Sequence, residues 1–90
     1  MARNALAEFG LAAGYIMAAD PVASKGTANH WVVQITSTEG ETRFLEADDA
    51  ESIAAALRTI GEHEEASIVG RAAHNVRVRN QPPSAWSQGP

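Results

Sequence analysis

The chain has 90 residues, no cysteine and a formal net charge of −4. A domain of this size buries only about 60% of the surface that its unfolded chain exposes, so we expect a single small unit. The lack of cysteine excludes disulfides and thiolate metal sites, and it fits a cytoplasmic protein. The acid excess disfavours non-specific binding to nucleic acid or to anionic membranes, because both need a broad basic surface.

The N-terminal segment predicts a helix that is apolar on nearly all sides. Asn4 can cap it, its span is Ala5–Ala19, and Asp20-Pro21 ends it because a residue before proline is pushed out of the α region. Such a helix is buried on two sides or meets a partner. Small residues recur every four positions along it, at Gly10, Gly14 and Ala18. This strip permits close helix approach, so we expect either packing on the protein's own sheet or a homodimer through this helix.

The central segment predicts a β-hairpin. His30–Ser37 is rich in β-branched residues and tryptophan, which favours a strand, and Thr42–Glu46 forms the returning strand. Between them, Gly40 can supply the positive φ that a tight turn needs. One face of the first strand carries Trp31, Val33 and Ile35. On the returning strand Phe44 and Leu45 point to opposite faces, so both sides of the sheet are expected to be partly covered.

A capped amphipathic helix is predicted after the hairpin. Asp48 is the expected N-cap, and Glu51 stands three residues later, as in a capping box. The buried stripe of this helix is predicted to be Ala50, Ile53, Ala54, Leu57 and Ile60. Gly61 is the expected left-handed residue that ends the helix.

The remainder of the domain predicts strands. Ser67–Arg71 is expected as a third strand and Ala72–Arg79 as its bulged continuation or a short fourth strand, because apolar and polar residues alternate there. The predicted fold class is α+β: a two-layer sandwich of a small, mainly antiparallel sheet with two helices, in the order α-β-β-α-β(-β). Residues 1–79 form the expected single domain, and residues 80–90 form a tail rich in proline, serine and glycine.

The charged residues are sorted along the chain. From Glu39 to Glu65 there are nine carboxylates and two arginines, whereas from Ala66 onward there are three arginines and no acid. A solvated face explains such an acidic run, and so does steering of a basic partner. The residues predicted to form this acidic face are Glu39, Glu41, Glu62, Glu64 and Glu65.

The arginines define the predicted partner-binding surface. On a strand, Arg77 and Arg79 share one face, from which they can make bidentate contacts with phosphate or carboxylate groups. They can equally pair with the acidic run of the same chain or protect an edge strand. Trp86 in the tail is a candidate anchor, since tryptophan often dominates binding energy. The full set predicted to contact a partner is Phe9, Tyr15, Arg71, Arg77, Arg79 and Trp86.

No motif indicates catalysis, a metal or a cofactor. The histidines, His30, His63 and His74, do not have the spacing of metal ligands. Capping and the helix dipole explain the adjacent Asp48 and Asp49 without a catalytic role. No serine or threonine has a recognisable histidine and acid partner, and no phosphate-binding loop is present. We therefore expect a protein that is not an enzyme and binds no cofactor or metal.

Three functions remain open from the sequence. The leading hypothesis is a non-enzymatic protein-binding module that acts as a regulator, an inhibitor or an assembly subunit, including one encoded by a phage and directed at a host protein complex. The alternative is a nucleic-acid-binding regulator that uses the Arg77/Arg79 face, with a tryptophan for base stacking. The third is a small enzyme or enzyme subunit with its active site at a dimer interface, which a molecule bound in a pocket near His30 or His74 would support.

Overall fold

A single helical turn is followed by three strands and then by two long helices. The structure, a computed structural model, describes residues 5–24 and 30–81. Its elements are α1 (Ala5–Glu8), β1 (Ile16–Ala23), β2 (Trp31–Ser37), β3 (Thr42–Leu45), α2 (Ala47–Thr59) and α3 (His63–Asn80). The strands form one antiparallel sheet in the order β1-β2-β3. The α+β class and the antiparallel sheet are confirmed, whereas the predicted order of elements is wrong.

The central strand, β2, has one face towards the helices and one face away from them. Val33 and Ile35 are fully buried beneath α2 and α3, and Leu45 of β3 pairs with Val33 in the same core. The intervening residues point the opposite way, to the surface that we call the open face. By the strand pairing, the open face consists of Ala18, Asp20, Val22, Val32, Gln34, Thr36, Thr42 and Phe44. Within the described residues, no helix packs on the open face.

The predicted hairpin is confirmed. Both strands lie where the sequence placed them, and Gly40 in the turn has a φ of 88°. Coverage of the open face is uneven, since Val32 is buried but Phe44 is 62% exposed. The expected coverage of both sides of the sheet is therefore found at Val32 but not at Phe44.

The helices α2 and α3 pack on each other and on the sheet. Four residues of the predicted α2 stripe are buried: Ala50, Ile53, Ala54 and Leu57. The fifth, Ile60, is 59% exposed because it follows the end of α2, and Gly61 has the positive φ predicted for the residue after the helix. The two helices approach closely at Gly70, where an added Cβ would lie 3.7 Å from the Ala54 Cβ.

The predicted helix over Ala5–Ala19 is wrong, because α1 is a single turn. Gly10 and Gly14 adopt positive φ values of 72° and 88°. A side chain makes that conformation costly, and a right-handed helix cannot continue through it. The apolar residues enter the core from two different elements, Leu6 from α1 and Ile16 from β1. The long helix through which a homodimer was expected is therefore replaced by α1, a loop and β1.

The predicted strands over Ser67–Arg71 and Ala72–Arg79 are also wrong, because this segment lies within α3. The buried stripe of α3 includes Ala66, Val69, Ala73 and Val76. Spacings of three and four residues place these side chains on one face of a helix. The isoleucine and valines favour a strand by propensity, but packing of the stripe against the sheet and α2 outweighs that weak preference. The third strand is instead β1, which precedes the hairpin.

The predicted capping box is wrong as well. The N-cap of α2 is Glu46, whose side chain makes no capping hydrogen bond, so Asp48 and Asp49 lie within the first turn. Carboxylates there still interact favourably with the helix dipole. Asp48 and Glu51 both accept hydrogen bonds from Arg77 of α3, which links the two helices.

Polar side chains tie each end of α3 to the sheet. Glu65, near the start of α3, is 9% exposed; its Oε1 accepts a hydrogen bond from the Gly14 N–H (2.9 Å) and its Oε2 one from the Ile16 N–H (3.0 Å). At the other end, Asn80 Oδ1 accepts from the Trp31 N–H at 2.8 Å, and Asn80 Nδ2 donates to the Trp31 carbonyl at 3.0 Å. Because β3 ends before it can pair with Trp31, the Asn80 amide takes the place of a strand there.

Candidate protein-binding surface

The predicted arginine face does not exist as one surface. Arg77 and Arg79 lie on a helix, where residues two apart face in nearly opposite directions. Arg77 hydrogen-bonds Asp48 and Glu51, with its Nη2 2.9 Å from Glu51 Oε1, and this hydrogen bond lowers the pKa of Glu51. The Arg79 guanidinium lies 4.9 Å from the ring centroid of Trp31. Pairing within the chain, one of the alternatives open from the sequence, therefore accounts for Arg77.

The other residues predicted to contact a partner are spread over the molecule. Arg71 is exposed on α3 and hydrogen-bonds the Ser67 hydroxyl at 3.4 Å. Phe9 is half-buried against the core, whereas Tyr15 is 54% exposed near the turn between β2 and β3. Trp86 lies outside the described residues. Of the described members, Phe9 follows α1, Tyr15 precedes β1, and the three arginines lie on α3.

The residues of the predicted acidic face come from two parts of the fold. Glu39 and Glu41 lie at the turn between β2 and β3, whereas Glu62 and Glu64 lie at the start of α3. The prediction of Glu65 as a surface residue is wrong, because its position falls on the side of α3 that packs against β1. Both of its carboxylate oxygens are bound there by backbone N–H groups.

The open face instead holds an apolar groove. Its volume is about 680 Å³, and Val22, Val32 and Phe44 contribute apolar side chains to its lining. Val22 and Val32 are directly paired across β1 and β2, and Phe44 pairs with Gln34 across β2 and β3. Phe44 is 62% exposed, which leaves a large apolar surface that a partner can cover.

Two carboxylates line this groove, and no lysine or arginine is among its described lining residues. Glu46 and Asp49 line it at the start of α2, and Asp20 lies on β1 in the open face. His30 Nε2 is 3.0 Å from Glu46 Oε1 at the same end of the sheet. An apolar floor with an acidic rim favours a partner segment that carries both apolar and cationic side chains.

The outer edge of β3, beside the groove, offers backbone hydrogen-bonding groups. The Ser37 N–H donates to the Glu41 carbonyl at 2.8 Å, which marks these residues as a hydrogen-bonded pair of the β2–β3 ladder. Because such pairs alternate, Thr42 and Phe44 direct their N–H and C=O groups away from β2. The Thr42 carbonyl accepts a hydrogen bond from Arg43 Nη1 at 2.9 Å. The outward N–H and C=O of Phe44 have no partner in the described part of the chain.

The outer edge of β1 differs from that of β3. The Ser24 N–H donates to the His30 carbonyl at 2.8 Å, so the alternation leaves three β1 residues directed outward. These are Ala19, Pro21 and Ala23. Proline has no N–H to donate, so the β1 edge is interrupted at the middle of these positions.

A second hollow, of about 400 Å³, lies between the start of α2 and the end of α3. It is lined by Glu46, Ala47, Asp48, Arg77, Asn80 and Gln81. Its one arginine is already held by two carboxylates, which makes it a poor anion site. Among residues 5–24 and 30–81, no group of three or more His, Asp or Glu side chains could hold a metal ion. No helix in those ranges is long and apolar enough to cross a membrane.

Sequence reasoning missed the open face as a site, although one signal for it was present. Phe44 and Leu45 must point to opposite sides of β3, so one of them leaves the core. The sequence pattern places Asp20 at a helix end and Val22 in a connector, which hides their position beside Val32 in one surface. Comparison of the chain with protein-family models, curated proteins and solved structures gives no match.

Proposed function

We propose that the protein is a non-enzymatic binding module that holds a partner protein against its open face. The observation that carries this proposal is the exposed ring of Phe44 beside the apolar pair Val22 and Val32. Full burial of a phenylalanine side chain contributes about 1.5–3 kcal/mol, so covering this ring supplies a substantial share of a binding energy. Aromatic side chains in such grooves commonly dominate protein interfaces.

The rim of the groove supports a particular chemistry for the partner. Asp20, Glu46 and Asp49 are all acidic, and the described groove lining has no compensating lysine or arginine. A partner segment with lysine or arginine beside an apolar side chain matches both parts of the surface. By occupying such a segment, the module would act as a regulator, an inhibitor or an assembly subunit.

The nucleic-acid alternative has less support. It depended on a shared face for Arg77 and Arg79, and these residues diverge on α3 and contact groups of their own chain. We expect no mobility shift with DNA or RNA at low salt, where electrostatic binding is strongest. A salt-sensitive shift that Arg77→Ala abolishes would restore this alternative.

A displayed library of random peptides tests the binding proposal even though the partner is unidentified. We expect selection on the intact protein to enrich peptides that contain lysine or arginine together with apolar residues. Fluorescence anisotropy with a labelled selected peptide then compares Phe44→Ala with Ile60→Ala, a truncation of another exposed apolar residue away from the groove. Phe44→Ala should weaken binding by about tenfold or more, and Ile60→Ala should leave it unchanged.

Salt provides a second check on the same peptide. Because the rim interactions are electrostatic and exposed, affinity should fall as ionic strength rises. Binding that is insensitive to Phe44→Ala, or peptides that are selected without any cationic residue, would contradict the proposal.

A further inference from the structure

The two edges of the sheet differ in what they offer an incoming strand. At β1, the outward residue Pro21 has no N–H. At β3, Phe44 directs both its N–H and its C=O outward, and Thr42 directs its N–H outward. Arg43 occupies the Thr42 carbonyl. Addition of a fourth strand is therefore favoured at β3 and disfavoured at β1.

We infer that the partner binds as an extended strand added to the outer edge of β3, an inference that rests on the proposed function. Hydrogen bonds to the N–H and C=O of Phe44 align the incoming backbone, as in other cases of β-strand addition. Alternate side chains of the new strand then extend the open face beside the phenyl ring. The groove and the edge thus form one site, since Phe44 belongs to both.

The acidic rim defines which residues the incoming strand should carry. The side chain opposite Phe44 lies beside the ring and should be apolar. Side chains on one face of a strand repeat every second residue, so its neighbour two positions away lies beside Glu46. Glu46 is exposed, and Asp49 lines the same end of the groove. We therefore expect an apolar residue and a lysine or arginine separated by one residue in the partner.

A second copy of this chain fits the edge poorly. Pairing of two β3 strands about Phe44 would place Thr42 of one copy opposite Glu46 of the other, with no cation from the open face. It would also bring the two acidic rims towards each other, and like charges across a sheet are unfavourable. The occupant is therefore a different, basic and apolar segment.

The substitution Phe44→Pro distinguishes binding by strand addition from binding through the side chain alone. Phe44→Leu keeps an apolar side chain and the outward N–H. Phe44→Pro removes the outward N–H but no ladder hydrogen bond to β2, as Pro21 already does in β1. With the selected basic and apolar peptide, Phe44→Leu should weaken binding only a few-fold, and Phe44→Pro by about tenfold more.

The peptide backbone gives a matched test that does not depend on the stability of a variant. One version of the selected peptide carries an N-methyl group on the amide that would pair with the Phe44 carbonyl. The control version carries it on the next amide, which in a strand points away from β3. Only the first should lose binding, and the Phe44 amide should gain protection from hydrogen exchange when the unmodified peptide binds.

The outcomes distinguish this inference from the proposed function. If Phe44→Pro binds as well as Phe44→Leu and both methylated peptides bind equally, the partner lies on the open face without strand addition, and only the inference is overturned. If no selected peptide depends on Phe44, the proposed function fails as well. Concentration-dependent dimerisation that Phe44→Pro prevents would overturn the inference by identifying a second copy as the occupant.

Discussion

The helix-covered face and the open face of the sheet are made by the same three strands but have different roles. Along β2, Val33 and Ile35 are fully buried beneath the helices, whereas Gln34 and Thr36, on the open face, keep part of their surface exposed. On β3 the contrast is sharper, since Leu45 is 3% exposed and its neighbour Phe44 is 62% exposed. The alternation of side chains along a strand thus separates the residues that stabilise the fold from those available to a partner.

Truncation of one side chain on each face should give the largest difference in the free energy of unfolding. Ile35→Ala removes a fully buried side chain, and we expect it to lower the free energy of unfolding by about 2–5 kcal/mol. That is a large part of the roughly 5–15 kcal/mol typical of a domain. Phe44→Ala on the open face should change it by less than about 1 kcal/mol. Urea unfolding followed by circular dichroism measures both, and equal losses would show that Phe44 belongs to the core.

Loss of the contact between α3 and the start of β1 should have a smaller effect on stability. Glu65→Ala leaves the N–H groups of Gly14 and Ile16 without their acceptors, and we expect a loss of about 1–3 kcal/mol. The exposed neighbour Glu64 is the control, and its truncation should change stability by less than about 0.5 kcal/mol. Amide exchange at Gly14 and Ile16 should accelerate only in Glu65→Ala. Unchanged exchange there would mean that other contacts hold this segment.

Loss of the exposed ion pairs between α2 and α3 should have the smallest effect on stability, and this effect should depend on pH. The hydrogen bond from Arg77 holds the pKa of Glu51 below its ordinary value, so the stability it contributes is present above the unfolded pKa and is lost as pH falls through the folded pKa. We therefore expect the stability difference between the native protein and Arg77→Ala to be constant near neutral pH and to shrink below about pH 4.3.

Arg71→Ala is the matched control for that pH dependence, because Arg71 lies on the same helix and hydrogen-bonds the Ser67 hydroxyl. Its effect on stability should not change between neutral and acidic pH. A pH-independent difference for Arg77→Ala would show that its contacts with Asp48 and Glu51 are not maintained in solution.

The elements that the sequence predicted correctly are those with local signals. The β2–β3 hairpin follows from strand-forming residues around Gly40, and the α2 stripe follows from helical spacing that ends at Gly61. The prediction of the N-terminal helix failed because this segment contains apolar residues of α1, a loop and β1. When the segment is treated as one helix, these residues fall on nearly all of its sides. The prediction for α3 failed because its branched residues favour a strand more visibly than the stripe from Ala66 to Val76 favours a helix.

The candidate site was harder to predict than the fold. Its groove joins side chains from all three strands and from the start of α2, and the β1 members could be placed only once β1 itself was known. The sequence predicted a shared face for Arg77 and Arg79 because alternation in a strand would align them, whereas a helix separates them.

By itself, the sequence determined the hairpin, the buried stripe of α2 and the exclusion of cysteine chemistry, because each depends on composition or on residues only a few positions apart. The tertiary structure alone decided that Glu65 enters the interior and that Phe44 remains outside it. The Glu65 carboxylate binds Gly14 across 51 positions of sequence, a separation at which no local pattern can identify the partner. Phe44 stays exposed because both long helices pack on the other face of the sheet, and that choice depends on the whole core.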